Sequence, residues 1–355
     1  MEDIYETMRK HKWSIILSFA LAFFIIFAIT IIVGLGDTIN ILSHANLYLI
    51  LFNIMLEAGI YLIWAYRWKL ILSTVNEHVP FRSLLTMLLA SDFGNNVTPG
   101  AAGGEPLRAY LLTATNKTPF EIGLASATAD RVFEFFPFVI ISIFAAIFIL
   151  GWETPIYVKL IISVMILISI FFFAIILYVV YRKEIAQRVI IKIAKPTYPF
   201  FSKLFKSDLS LSEVNEKIIY YINHFSAGFI QVIKDKKVLF IGFFLSLLMW
   251  GQDIARFYIC FLTIGVSPPL IPLIIIYTIG ILIMLAPLLP GSWGIREAII
   301  VGLFAVVGVA GDAVMSASLI DRFVSYILPT IIGAFAALYY GKRIKESKQA
   351  LTSNP

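Results

Sequence analysis

One cysteine, four histidines and a charged fraction of only 14% are what this 355-residue chain has least of, and each shortage closes off a class of function. Cys260 stands alone inside an apolar segment, which excludes a disulfide framework and a cysteine-built metal cluster. His11, His44, His78 and His224 all fall in stretches that read as loops or tails, so no membrane-embedded metal centre or Ser-His pair assembles from them. GLGD at 34–37 resembles the Gly-x-Gly-Asp of intramembrane aspartyl proteases. The partner Tyr-Asp occurs nowhere, and the stretch is read as a helix exit. A Gly-x-x-x-x-Gly-Lys phosphate loop is also missing, which removes ATP-driven pumping by this chain alone. No metal, no cofactor and no catalytic residue is therefore expected.

What is abundant is apolar surface. A hydrophobic fraction of 60% and a mean hydropathy of +0.90 lie outside the soluble range and indicate a multi-pass, all-α membrane protein. Stretches near the 20 residues that a bilayer core demands fall at 13–35, 46–66, 132–150, 157–181, 238–264, 269–287 and 312–340. The first is much longer than a signal-peptide core and is not closed by a small-residue cleavage site, so it is read as a helix that stays.

Lysine and arginine then set the sidedness. Arg9, Lys10 and Lys12 place the N-terminus in the cytoplasm, and 36–46, without Lys or Arg, goes outside. Arg67, Lys69 and Arg82 bring the chain back inside. The connection 182–237 carries eleven Lys and Arg and the tail begins GKRIK, so both belong in the cytoplasm of a cell-membrane protein. The net charge of +6 reflects this orientation, and no nucleic-acid partner is expected. Within the connection, Ile218, Ile222, Phe225, Phe229 and Val232 form one helical stripe suited to an anionic leaflet, or to a short solvated coiled segment.

Against this background GNNVTPGAAGGEPLR (94–108) stands out, with two prolines, four glycines and two charges in an apolar chain. The 15 residues before Thr98, from Ser83 to Val97, would reach about 22 Å as a helix, short of a core of about 30 Å. A re-entrant hairpin with its tip at Pro99, Gly100, Gly103 and Gly104 is the economical reading, and such a tip is tolerated only in protein or beside a wet cavity.

The motif also has a counterpart. PGAAGGEPLR (99–108) is echoed by PGSWGIRE (290–297), and DRVFEFFP (130–137) by DRFVSYILP (321–329). Asp130 follows Gly100 by 30 residues, as Asp321 follows Gly291. The period of 191 residues, with an extra helix at 157–181, implies two inverted copies, about 46–150 and 238–341, in one domain spanning 1–341, followed by a tail at 342–355. In the second copy, 269–287 and 292–309 are long enough to be full crossings or a second hairpin broken at Pro290, Gly291 and Gly294.

Inverted repeats with broken helices are how many transporters build a midplane substrate site, and the intramembrane charges point to the same place. Each costs at least about 2.5–3.5 kcal/mol if unpaired. Glu105, Arg108, Arg296 and Glu297, with Asn95 and Asn96, are the expected substrate-binding set, the asparagines having simple turn roles as the alternative. Asp130, Arg131, Glu134, Asp253, Arg256, Asp321 and Arg322 are expected to pair as braces or gates, and spacing of three or four residues suggests Glu105–Arg108, Asp253–Arg256 and Asp130–Glu134 as shared helix faces. Trp64 and Trp293 are read as interfacial anchors.

GNNVTPGAAGGEPLRAYLL, ADRVFEFFP, LLPGSWGIRE and DRFVSYILP together resemble the flippase-like membrane domain of the lysylphosphatidylglycerol synthase family, the membrane part of the multiple peptide resistance factor, over about residues 10–340. The family commonly has Pro-Gly-Gly-x-Gly in its second motif, where this chain has Ser292 in place of the second glycine. The resemblance implies movement of lipids between leaflets. The soluble aminoacyl-transfer domain of the full-length synthases is expected to be absent, since 14 residues follow residue 341. Anionic or phosphate-bearing membrane lipids are the expected partners, with Arg108 and Arg296 holding the phosphate and Glu105 and Glu297 orienting them or contacting a cationic group. A homo-oligomer, or a separate lipid-modifying enzyme served by this chain as membrane component, stays open, as does small-solute or ion transport.

Overall fold

The computed structural model describes residues 27–98, 103–151, 156–204, 210–284 and 292–352, apart from 29 and 33. Pro99, Gly100, Pro290 and Gly291, and most of the first apolar stretch, lie outside the described residues. The described chain is an all-α bundle without strands: α1 Leu47–Thr74, α2 Phe81–Val97, α3 Gly104–Asn116, α4 Phe120–Leu150, α5 Ile156–Tyr181, α6 Lys183–Leu204, α7 Leu211–Lys234, α8 Lys236–Thr263, α9 Leu270–Met284, α10 Ile295–Val306, α11 Gly311–Arg322, a π-helix at Phe323–Ile327, and α12 Leu328–Thr352. Among the described residues, three apolar helical stretches are long enough to cross a bilayer: Leu47–Thr74, Lys236–Thr263 and Gly311–Glu346.

Element order repeats as the motifs do. α8 and α9 start 189 residues after α1 and α2, while α10 and α11 start 191 after α3 and α4. Packing is reciprocal as well. α2 lies along α12, α9 packs on α4, and the two 28-residue helices α1 and α8 lie against each other. Each apolar core therefore borrows from the other half. Ala336, Tyr340 and Ile344 of α12 complete the core around α1–α4, and Phe138 and Ala145 of α4 join the core around α8–α11.

The hairpin of α2 and α3 owes its tightness to glycine. A Cβ on Gly104 would sit 2.5 Å from the Asn95 side chain, and one on Gly103 would sit 2.7 Å from the Gly94 carbonyl oxygen. Asn95 Oδ1 accepts the Gly104 N–H at 2.7 Å, Thr98 Oγ1 accepts that of Gly103 at 2.9 Å, and Ser91 Oγ donates to the Gly104 carbonyl at 3.0 Å. The first two bonds satisfy backbone donors at the start of α3, which no turn of helix precedes, and the third adds a donor to the Gly104 carbonyl. With 17 and 13 residues, α2 and α3 measure about 26 and 20 Å.

Several sequence expectations need correction. The stretch 292–309 does not form a helix long enough to cross: α10 has 12 residues, about 18 Å, because Val307 leaves the helix and Gly308 takes φ 78°. For the stretch 269–287, the described helix is α9, and 285–287 lie outside the described residues. The helix expected at 132–150 begins at Phe120 and brings Asp130, Arg131 and Glu134 into its interior, where partners neutralise them. Gly34 takes φ 112°, a break at the start of GLGD, but residues 34–43 are helical, so a loop throughout 36–46 does not hold. The stripe on α7 does not lie free on a leaflet. Phe229 and Val232 are buried, with Gly228 closing on Ile122 and Ala125 of α4. That helix begins at a capping box in which Ser210 donates to Glu213, and the bond holds the Glu213 carboxyl below its usual range.

Candidate functional site

Two buried carboxylates organise the charges. Asp130, fully buried, accepts Arg67 Nε on Oδ1 at 2.7 Å, and on Oδ2 it accepts Arg108 Nη1 at 2.7 Å and Trp64 Nε1 at 2.5 Å. Arg67 also donates from Nη2 to Glu134 at 2.8 Å and from Nη1 to Ser246 at 2.7 Å. Arg131 bridges Glu105 and Glu134. The Arg108 guanidinium lies 5.2 Å from the Trp64 ring centre and 4.8 Å from that of Trp68, so its unbonded face rests on aromatic surface.

Asp321 has the same role in the second half. It accepts hydrogen bonds from Arg256 Nη1 and, at 3.0 Å, from Arg296 Nη2. Glu297 receives Arg322 Nε at 2.7 Å and, through its other oxygen, the Gly294 N–H at 2.7 Å. Arg256 also donates to Asp253 at 3.2 Å. Its Nε lies 3.1 Å from Glu57 Oε2 but off the hydrogen-bonding direction, so that contact is ionic only. By role Asp130 matches Asp321, Arg67 matches Arg256, Arg108 matches Arg296, Arg131 matches Arg322 and Glu105 matches Glu297.

Between the two sets lies a cavity of about 300 Å³. Ten charged residues line it, five arginines and five carboxylates: Arg67, Arg131, Arg256, Arg296 and Arg322, with Glu57, Asp92, Glu134, Asp253 and Asp321. The balance makes it polar without net charge. Donors are nevertheless left over. Arg256 Nε, Arg296 Nε and Arg322 Nη2 are buried without a hydrogen-bond acceptor, and a buried donor left unmade costs about 1–3 kcal/mol. Such groups bind an anion at little further desolvation cost. Among the described residues, no three His, Cys, Asp or Glu side chains come together to hold a metal ion.

The expected substrate-binding residues divide. Asn96 and Arg296 line the cavity; Asn95, Glu105, Arg108 and Glu297 stand behind its wall, where Asn95 caps α3 and the other three hold Arg131, Asp130 and Arg322. Six residues expected as braces or gates, Arg131, Glu134, Asp253, Arg256, Asp321 and Arg322, reach the cavity as well, whereas Asp130 stays behind. Of the expected helix-face partners, Asp253–Arg256 is found; Glu105 pairs with Arg131 instead of Arg108, and Asp130 and Glu134 share Arg67. Of the breaks inside the described residues, Gly294 takes φ 83° as the cap of α10, a conformation glycine adopts freely. Ser292 takes φ 50° where the family motif commonly has glycine.

Trp64 and Trp293 are not interfacial anchors. Trp64 is 7% exposed and bonded to Asp130, and the Arg322 guanidinium lies 5.3 Å over the Trp293 ring. Arg67 is not a loop residue marking the cytoplasmic side, being wholly buried in α1. Glu57, Asp92, Tyr61 and Tyr277 also line the cavity and were not expected from sequence. The offset of 189 residues between Arg67 and Arg256, equal to that between α1 and α8, is the signal that identifies Arg67.

The model of the lysylphosphatidylglycerol synthase TM region matches residues 15–333. A UPF0104 membrane protein of Methanothermobacter thermautotrophicus is 49% identical over 342 residues, covering 96% of this chain and 97% of the relative. Similar proteins with the same description occur in Pyrococcus horikoshii, 28% identical over 88% of this chain and 93% of the relative, and in Methanocaldococcus jannaschii, 26% identical over 92% and 95%.

Proposed function

The chain belongs to the lysylphosphatidylglycerol synthase transmembrane-region family of membrane proteins, and on that premise we propose that it moves a phosphate-bearing lipid headgroup between leaflets through the charged cavity. The observation that carries this reading is a cavity of about 300 Å³, lined by ten charged residues, inside a bundle whose outward faces expose side chains such as Phe240, Phe335 and Leu338. Its volume sits at the small end of ligand sites. It suits a phosphate and its neighbouring polar groups, with acyl chains left in the lipid.

Arginine suits the task because its planar fork offers two donors to two phosphate oxygens. Arg296 and Arg322 are each 2% exposed, line the cavity and have a donor to spare. In this reading Arg296, Arg322, Arg256 and Asn96 touch the headgroup, while Asn95, Glu105, Arg108 and Glu297 position the wall. α2–α3 and α9–α10 are re-entrant hairpins of two inverted repeats, 46–150 and 238–341, joined by the linking helix 157–181 and the connection 182–237. Both termini are cytoplasmic. The reciprocal packing of α2 on α12 and of α9 on α4 supports that arrangement, in which rocking of one repeat against the other opens the site to alternate sides.

The test is leaflet-specific quenching of fluorescent lipids in proteoliposomes. Wild-type protein is expected to move an anionic lipid faster than empty vesicles do, and Arg296→Lys and Arg322→Lys to slow it at least about tenfold, the loss of one charge-assisted hydrogen bond of about 1.5–3 kcal/mol. No movement of anionic, zwitterionic or polyprenyl-phosphate lipid by wild type under any imposed gradient would transfer the reading to a membrane component of a lipid-modifying system.

A further inference from the structure

Among the ten charged residues that line the cavity, every arginine has a carboxylate within 4.0 Å, and Glu57, Glu134, Asp253 and Asp321 each have an arginine within that distance. Asp92 does not. Its contacts come from neutral groups, the Tyr61 hydroxyl donating at 2.6 Å and Asn96 Nδ2 at 3.3 Å, and both fall on Oδ2. A carboxylate set in the wall of an apolar bundle without a counter-ion is expensive to keep ionised. We propose that Asp92 is a proton-binding site, and that the proton it takes from water on one side and releases on the other couples a pH gradient to transport; this rests on the lipid-transport reading above.

The surroundings favour a proton over a fixed counter-ion. α1 presents Glu57 and Tyr61 on the cavity wall that holds Asp92, and its Arg67 is already held by Asp130 and Glu134. α4 presents Arg131 and Glu134, but Arg131 is already held by Glu134 and by Glu105 of α3. The π-helix contributes the Tyr326 hydroxyl, and α12 contributes Thr330. Across the cavity Arg256 and Arg322 are bound to Asp321 and Glu297. With Oδ2 occupied, Oδ1 is the oxygen left to take the proton.

Asp92 is also placed so that its charge is felt where the two halves meet. Asn96, one turn further along α2, donates to Asp92 and also to Thr330 Oγ1 at 2.8 Å, and its carbonyl accepts the Tyr326 hydroxyl at 2.6 Å. The same residue thus reads the protonation of α2 and holds the π-helix and α12. Removing the negative charge weakens the Asn96–Asp92 bond and leaves Asn96 to the second half, which changes the balance between two arrangements of the hairpin against that half.

Two measurements test this. Acid-induced infrared difference spectra of the purified protein should contain a protonated-carboxyl C=O band that is missing from Asp92→Asn and returns, shifted, in Asp92→Glu. In proteoliposomes, a gradient of one pH unit should change the wild-type leaflet ratio by up to about tenfold for one proton per lipid, and the Asp92→Asn ratio should not respond. A band retained in Asp92→Asn, a pH response equal to wild type in that variant, or wild-type transport that follows sodium and ignores pH would each overturn the proposal. If wild type moves no lipid under any gradient, the transport reading fails and coupling at Asp92 falls with it, while loss of the infrared band in Asp92→Asn still assigns the proton site.

Discussion

Asp130→Asn should be among the most damaging single-atom changes available to this protein. Both oxygens of Asp130 accept donors, Arg67 Nε on one and Arg108 Nη1 with Trp64 Nε1 on the other. Whichever way an asparagine amide is turned, its NH2 faces an arginine or tryptophan donor, and two buried guanidiniums lose their shared counter-charge. Breaking a buried pair costs about 3–5 kcal/mol. At about 2 °C per kcal/mol for a chain of this size, the expected fall in melting temperature is about 6–10 °C. The assay is thermal unfolding in detergent, followed by tryptophan fluorescence.

Replacing Arg108 by Gln in the same background removes one of the orphaned charges, and the double variant should melt above Asp130→Asn, with a coupling of about 0.5–3 kcal/mol. Asp321→Asn should fall by a similar amount, because Asp321 holds Arg256 and Arg296 in the same way. A wild-type melting temperature for Asp130→Asn, or strictly additive losses in the cycle, would refute the account of Asp130 as the shared counter-ion.

Gly104→Ala places a methyl 2.5 Å from the Asn95 side chain and should destabilise by about 1–3 kcal/mol of overpacking; Asn95→Ala in the same chain should absorb part of that loss, and additive losses would show that the contact is not the cause. For topology, cysteines introduced at Arg82 and Lys117 should be labelled only from the cytoplasmic side and one at His44 only from outside, so external labelling at Lys117 overturns the re-entrant hairpin.

The all-α membrane architecture and the breaks at Gly103, Gly104 and Gly294 were legible because they depend on composition and on local backbone freedom. The family itself was legible in the Pro-Gly and Asp-Arg motifs, and the matched span of 15–333 agrees with it. The cavity lining was less so. Arg67 ends an apolar stretch, and hydropathy counts a charge as an exit whether or not a partner neutralises it; here Asp130 and Glu134 do so from a helix more than sixty residues away. Glu57 and Asp92 are single carboxylates within apolar helices, and no local spacing reveals that tertiary packing brings them to one wall. Glu105 and Arg108 illustrate the converse. Their spacing suggests a pair on one helix face, yet each finds a stronger partner on α4.

The one-residue difference between DRVFEFFP and DRFVSYILP has a structural consequence of its own. The first runs through α4 without a break up to Pro137, while the second, longer by one residue, contains the π-helix Phe323–Ile327. A π turn takes up an extra residue without changing the helix on either side of it. Upstream, Asp321 and Arg322 keep the register that meets Arg296 and Glu297. Downstream, Gly333 faces Leu89 so closely that a Cβ would sit 2.3 Å from its carbonyl oxygen, and Asn96 of α2 reaches Thr330. An ordinary α-turn in place of the π-helix would rotate one of these surfaces by about 100° relative to the other. The insertion therefore falls where the charge cluster of the second half and its grip on the first hairpin meet, and Ser325 and Tyr326, inside the π-helix, line the cavity between them.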